Sequence, residues 1–221
     1  MDTTKSDEVL RLLGEQKLVA VVRAPSVDTA ISVAKALAAG GINAIEITFS
    51  TPGAPEAIRE LAGRPGLVVG AGTVATMEQA KDALRSGARF LVSPHTDLGI
   101  VELGLQHGVL TVPGALTPTE VVAAAARVPL VKLFPGSLGG PGYLRALRAP
   151  FPELRLMPTG GISPTNARDW LDAGAFALGA GGELCPKELI AARDFEEITR
   201  RAHHYSSIVN GWVAEREQVA R

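Results

Sequence analysis

Cysteine is almost missing from this chain: Cys185 is the single one among 221 residues, so no internal disulfide and no CxxC ligand set is available. Excess charge of either sign is missing too. The 22 basic and 23 acidic side chains nearly cancel, leaving no global field to draw nucleic acid or an anionic membrane. Aromatic residues make up only 5% of the chain, and without a basic stripe or stacking aromatics a nucleic-acid partner is not expected. No apolar run approaches the roughly 18 residues of a membrane span, because Lys, Glu, Asp or Arg interrupts each one. The opening Met1-Asp2-Thr3-Thr4-Lys5-Ser6-Asp7-Glu8 is polar and acidic, unlike a signal peptide. These absences together predict a protein of the reducing cytoplasm with no membrane partner. His95, His107, His203 and His204 lack HExxH spacing, so no metal is expected.

What the chain has is apolar residues, 46% of the total, enough to bury a full core within single-domain size; residues 1–221 read as one domain. Short β-rich runs alternate with Ala- and Leu-rich helical stretches from end to end, the pattern of βα units around a parallel sheet. Eight runs stand out: Leu18–Val22, Ala44–Thr48, Leu67–Gly70, Phe90–Val92, Leu110–Val112, Leu130–Leu133, Leu156–Pro158 and Ala175–Leu178. Helical segments between them include Thr29–Ala39, Met77–Ser86, Thr119–Ala126 and Pro164–Ala173, with Gly40, Gly87 and Gly174 expected to close helices at positive φ. Eight units in this length predict a (β/α)8 TIM barrel, with an extra N-terminal helix around Val9–Leu13 and a final helix within Ala191–Arg221. A doubly wound open sheet competes, but Val22-Arg23-Ala24-Pro25 follows the first strand where a Gly-rich dinucleotide loop would be expected.

A barrel enzyme builds its site at the C-terminal ends of its strands, and polar residues gather there: Arg23, Glu46, Thr48, Gly72, Thr73, Ser93, His95, Lys132, Thr159, Gly160 and Gly161. Lys132 stands in Val131-Lys132-Leu133-Phe134-Pro135, where a permanently solvated ammonium is out of place. Attack on a ketone needs the neutral amine, which an apolar setting favours; a snorkelling strand-end lysine is the bland alternative. In Ala44-Ile45-Glu46-Ile47-Thr48 the two-residue period turns Glu46 away from Ile45 and Ile47, toward a barrel's interior. Lys132 is its expected cationic partner, as nucleophile beside proton shuttle or as a purely structural buried pair. Glu46 alone is too little carboxylate for a Mg²⁺ site. Two Gly-rich stretches, Pro158-Thr159-Gly160-Gly161-Ile162-Ser163-Pro164 and Gly179-Ala180-Gly181-Gly182, end the last two strands and offer backbone N–H groups to a phosphate, although such clusters also make ordinary turns. His95 reads as a loop histidine and His203-His204 as part of the terminal helix.

These motifs in this order resemble the 2-keto-3-deoxy-6-phosphogluconate / 4-hydroxy-2-oxoglutarate aldolase family, the small class I pyruvate aldolases, over about Val19 to Pro186. The specific parts are Gly41-Ile42-Asn43-Ala44-Ile45-Glu46-Ile47-Thr48-Phe49 and Val131-Lys132-Leu133-Phe134-Pro135, supported by Gly70-Ala71-Gly72-Thr73-Val74 and Pro158-Thr159-Gly160-Gly161-Ile162. The resemblance implies a Schiff base on Lys132, with Glu46 moving the proton. It makes Thr73 and Arg23 candidates for the substrate carboxylate, and Thr159, Gly160, Gly161, Gly181 and Gly182 candidates for the phosphate of a phosphorylated keto-deoxy sugar acid. Pro94 and Phe134 would form pocket walls. No cofactor and a homotrimer are further implications of kinship.

Three positions depart from the family pattern. Ser50 stands where an arginine is usual, and Arg23 is the candidate replacement, since a guanidinium suits a carboxylate. Gly182 replaces a usual serine, and Gly136 a usual serine or alanine. The galactonate epimer or unphosphorylated 4-hydroxy-2-oxoglutarate are alternative substrates. A phosphosugar epimerase has no need of a lysine imine, and a silent sugar-phosphate sensor has no reason to keep both Glu46 and Lys132.

Overall fold

The apolar runs form parallel strands because each is covered on both sides, as a sheet flanked by helices requires. In the computed structural model, which describes residues 3–219, the order is α1 (Thr3–Gln16), β1 (Leu18–Val22), α2 (Val27–Ala39), β2 (Ala44–Thr48), α3 (Ala54–Ala62), β3 (Val68–Gly72), α4 (Met77–Arg85), β4 (Phe90–Val92), α5 (Leu98–Gln106), β5 (Leu110–Val112) and β6 (Gly114–Ala115). Then follow α6 (Pro118–Ala125), β7 (Val131–Leu133), a 3₁₀ turn at Gly136–Leu138, α7 (Gly140–Arg148), β8 (Leu156–Pro158), α8 (Ala167–Asp172), β9 (Leu178–Ala180), α9 (Lys187–Ala192) and α10 (Phe195–Val219). All pairings are parallel, in a six-stranded sheet β5-β4-β3-β2-β1-β9 and a three-stranded sheet β6-β7-β8. Only Pro113 separates β5 from β6; its carbonyl accepts the Lys132 N–H at 2.9 Å. At the other margin Thr159 bridges Gly179, and Phe176 N–H donates to Leu156 O at 2.8 Å.

Strand alternation sorts the core into two clusters. Ala20, Val22, Ile45, Ile47, Val69, Ala71, Leu91, Val131, Leu133 and Leu156 face the surrounding helices. Val19, Ala44, Val68, Phe90, Val92, Leu110, Val112, Leu130, Met157 and Ala177 share the concave face with Val9, Leu10 and Leu13 of α1. Helix α1 thus plugs the end of the curled sheet that lies opposite the strands' C-terminal ends, and the expected Val9–Leu13 helix supplies its buried stripe through Val9, Leu10 and Leu13. Full burial of each such side chain contributes about 1.5–3 kcal/mol.

Several boundaries differ from the sequence reading. The eighth run, Ala175–Leu178, is placed too early: pairing with β1 begins at Leu178 and continues through Gly179 and Ala180. Gly179 belongs to a strand because it pairs with Val19, and it is glycine because Thr159 packs where a side chain would be. Gly40 does not take a positive φ; it lies at −85°, and Gly41 carries the turn at +91°. The lack of a side chain at Gly40 instead admits α10, whose Ala202 Cβ would overlap any Cβ there. Gly87 and Gly174 do take positive φ, at +86° and +93°. The C-terminal segment is two helices, broken at Arg193 and Asp194 with Arg193 at φ 55°, and α10 ends the described residues. Helix α2 starts earlier than expected because the Ser26 hydroxyl caps it, accepting from Thr29 N–H.

Candidate active site

Lys132 and Glu46 both lie on the concave face, one layer beyond the apolar plug. Lys132 is 3% exposed and Glu46 fully buried. On β7, Lys132 pairs in register with Gly114 and Met157, and its Nζ sits 5.0 Å from the Phe134 ring centroid, a cation–π distance. On β2, Glu46 is in register with Val21 and Gly70. Room for its carboxylate comes from Gly72, two residues further along β3, where a Cβ would overlap Glu46 Oε1, Cγ and Cδ.

The expected contact between the two charges is not made. Neither Glu46 oxygen has a hydrogen-bond partner among the described residues. Lys132 acts on it through charge alone. Burial pushes the Glu46 pKa up from the ordinary carboxylate value, and the positive charges of Lys132 and then Arg23 pull it partly back. An unpartnered buried carboxylate costs stability, and a carboxylate whose pKa is shifted by burial beside positive charges is a candidate for proton transfer.

A cavity of about 250 Å³ is lined by Arg23, Phe134, Thr159, Gly160, Gly161, Gly181 and Gly182 along with Val21, Ile162, Gly179 and Glu183. Lys132 and Glu46 are not in its lining and are linked to it by Phe134, whose ring faces Lys132 Nζ, and by Arg23, whose charge acts on Glu46. Seven of the nine residues singled out for substrate contact therefore meet at one place. The pairing of β1 with β9 brings Arg23 to Gly181 across 158 positions of sequence, and the Thr159–Gly179 bridge adds the other Gly-rich loop. Backbone groups on both sides of Arg23 are tied to the end of β2 and the loop after it: Thr48 Oγ1 donates to Val22 O at 3.0 Å, and Ala24 N–H donates to Thr51 Oγ1 at 3.1 Å. Ser50 Oγ lies 2.8 Å from Thr48 Oγ1, within this same hydroxyl group.

The two remaining residues, Thr73 and Pro94, stand outside that cavity's lining. Thr73 follows β3 in a left-handed conformation, φ 54°, an uncommon and strained choice for a β-branched residue. Pro94 packs its carbonyl against Gly114, where any Cβ would overlap it, one strand from Lys132. Arg23 lines the cavity with the glycine loops, and Thr73 stands two strands away at the end of β3. Beside Pro94, the Ser93 hydroxyl is buried and has no partner among the described residues. His95 is exposed, as are His203 and His204 on α10. Among the described residues no three His, Cys, Asp or Glu side chains cluster to hold a metal, and no helix is long and apolar enough to cross a membrane.

Sequence reasoning passed over four contributors. Gly72 was legible as a strand-end glycine, but not as the seat of Glu46. Glu183 directly follows the Gly181-Gly182 turn and brings a carboxylate to the cavity wall opposite in sign to Arg23. Asn166 and Tyr205 grip the Gly160–Ile162 loop from outside. A larger cavity, about 390 Å³, lies at the N-terminal ends of the strands among Val128, Pro129, Leu154 and Arg155, remote from Lys132.

A buried lysine on one parallel strand, a buried carboxylate on another and a glycine-lined cavity between their C-terminal ends define the class: a class I, lysine-dependent aldolase architecture. The chain belongs to the KDPG and KHG aldolase family, whose model matches residues 9–201. It is 37% identical over 205 residues to the 2-dehydro-3-deoxy-phosphogluconate aldolase of Treponema pallidum, covering 91% of this chain and 97% of that one. Among solved structures it resembles the KDPG aldolase of Legionella pneumophila holding pyruvate as a covalent carbinolamine, with TM-score 0.82 and 29% identity over 88% of this chain and 96% of that one. It also resembles the 2-keto-3-deoxy-6-phosphogluconate aldolase of Zymomonas mobilis with 3-phosphoglycerate, with TM-score 0.80 and 30% identity over 94% and 96%.

Proposed function

We propose that this protein cleaves 2-dehydro-3-deoxy-6-phosphogluconate to pyruvate and glyceraldehyde 3-phosphate, through an imine on Lys132. The observation that carries this reading is the burial of Lys132 and Glu46 on one concave face without a bond between them, linked through Phe134 and Arg23 to a cavity lined by two glycine loops. The Lys132 amine adds to the C2 ketone and water leaves, giving a protonated imine. The C3–C4 bond then breaks, its electron pair flowing into the imine to form an enamine, while Glu46 takes the C4 hydroxyl proton directly or through water. Glyceraldehyde 3-phosphate departs, Glu46 returns the proton to C3 of the enamine, and water releases pyruvate. The phosphate rests on the loops at Thr159–Gly161 and Gly181–Gly182 with Arg23 beside it; Thr73 and Pro94 flank the pyruvyl end, and Phe134 lies between the two ends. 4-Hydroxy-2-oxoglutarate presents the same ketone and C4 hydroxyl to the same pair.

We read the scaffold as a single eight-stranded (β/α) barrel over the whole chain, β5 and β6 counting as one strand interrupted at Pro113. The Pro113–Lys132 hydrogen bond at one junction and the Thr159–Gly179 bridge at the other support that closure. The chemical test is borohydride reduction in the presence of pyruvate, followed by peptide mass spectrometry, with Lys132→Ala as control. A reduced pyruvyl adduct confined to Lys132 is expected. Labelling of another lysine, or none in folded protein, removes the proposed mechanism.

A further inference from the structure

The loop after β8 is held by two side chains outside the cavity it lines. Asn166 Nδ2 donates to Gly161 O at 2.8 Å, and Asn166 Oδ1 accepts from Ser163 N–H at 2.9 Å. Tyr205, 1% exposed on α10, donates its hydroxyl to Ile162 O at 3.0 Å. Asn166 occupies the cap position of α8, yet its side chain makes no cap hydrogen bond to that helix; both of its polar atoms are committed to the loop. In a planar trans peptide the carbonyl and the following N–H point in opposite directions. Holding Gly161 O on Asn166 therefore turns Ile162 N–H the other way. Tyr205 then fixes the next peptide unit, whose N–H is the one taken by Asn166 Oδ1. Gly161 N–H and Ile162 N–H donate to no acceptor among the described residues, while both residues line the cavity.

We infer that Asn166 and Tyr205 are positioning residues for anion binding: Asn166, by occupying the Gly161 carbonyl, leaves the Ile162 N–H turned away from it and free, and Tyr205, by occupying the Ile162 carbonyl, fixes the next peptide unit, so that the loop is held ready for the substrate's phosphate. Positive φ at Gly160, +93°, and Gly161, +75°, makes the loop conformation available, but glycine by itself leaves many others open. The side chains select one before ligand arrives, which removes an ordering cost from binding. Burial raises the Tyr205 pKa further, so the hydroxyl stays a donor throughout the working pH range. The inference rests on the proposed phosphate subsite, and the Lys132 chemistry does not depend on it.

The experiment compares wild type, Tyr205→Phe, Asn166→Ala and the double variant by three readouts: KM and kcat for the phosphorylated substrate, competitive inhibition by inorganic phosphate, and the rate of borohydride-trapped pyruvate adduct on Lys132. Expected are rises of about 5-fold for Tyr205→Phe and about 10-fold for Asn166→Ala in both KM and the phosphate inhibition constant, the scale of one or two lost hydrogen bonds. Pyruvate trapping stays within about twofold of wild type. Tyr205→Phe removes one oxygen from a packed ring, so it reports on the idea even where Asn166→Ala fails to fold. Variants that bind phosphate like wild type, or lose trapping in step with phosphate affinity, overturn the inference. Wild type that forms the Lys132 adduct but is not inhibited by phosphate also overturns it, while leaving the aldolase reading intact; absence of the adduct overturns that reading instead.

Discussion

Gly72 is the seat of the Glu46 carboxylate: the paired strands β2 and β3 bring them so close that a single added methyl would occupy the space of Oε1, Cγ and Cδ. Backbone freedom is not the reason for glycine here, since Gly72 has no positive φ. Gly72→Ala should therefore act by displacing Glu46. We expect kcat to fall about 10²-fold, approaching the effect of Glu46→Gln, the scale of one lost general acid–base group. Steady-state kinetics and thermal melts check this. Adding Glu46→Ala to Gly72→Ala should recover stability without recovering turnover, because the truncated side chain vacates the space.

Glu46 also ties stability to pH. Its pKa in the folded protein is raised by burial, so the native state holds its proton more tightly than the unfolded chain does. The associated stability is fully present below the ordinary carboxylate value of 4.5 and is lost as pH rises through the folded value. Thermal midpoints measured upward from pH 4 should decline for wild type relative to Glu46→Gln, in which the slope from this group vanishes. The acidic limb of kcat/KM should lie above the usual carboxylate range for the same reason.

Arg23 lines the glycine-loop cavity, and its charge also acts on Glu46. Arg23→Ala is expected to raise KM for the phosphorylated substrate about 10- to 100-fold, as loss of a charge-assisted contact does. It should also move the acidic limb of the pH profile further up, since a positive charge that lowers the Glu46 pKa is gone. A KM change with an unmoved pH profile would show that Arg23 does not reach the Glu46 field.

Thr73 holds a left-handed backbone that suits glycine better than threonine. Thr73→Gly relieves strain of about 1–3 kcal/mol and gives part of it back as unfolded-state entropy. A thermal midpoint equal to or above wild type, with a rise in KM for pyruvate-derived substrates, is the expected signature of a residue kept for its hydroxyl. A lower midpoint would assign Thr73 a structural role.

Most strands could be read from the chain because each is short, apolar and bounded by turn residues. Errors fell where glycine meant packing rather than a turn. Gly179 looked like a loop residue and is a strand residue under Thr159; Gly40 looked like a left-handed cap and is the point where α10 approaches α2. The same ambiguity hid Gly72. Composition records that a side chain is missing and does not record what fills its place.

Sequence alone turned Glu46 to the inner face of its strand and set Lys132 in an apolar one, leaving a snorkelling lysine as the alternative that the structure, with Lys132 buried, removes. An ionisable residue inside an alternating apolar strand has nowhere else to point, and that alternation is a local property of the chain. Which groups meet was decided by tertiary structure. β1 pairs with β9, so Arg23 joins Gly181 and Gly182; β2 pairs with β3, so Gly72 receives Glu46; and Tyr205 reaches back 43 residues to Ile162. Strand order and helix packing set those encounters, and their cause is the burial of both faces of the whole sheet, a constraint no local stretch of sequence carries.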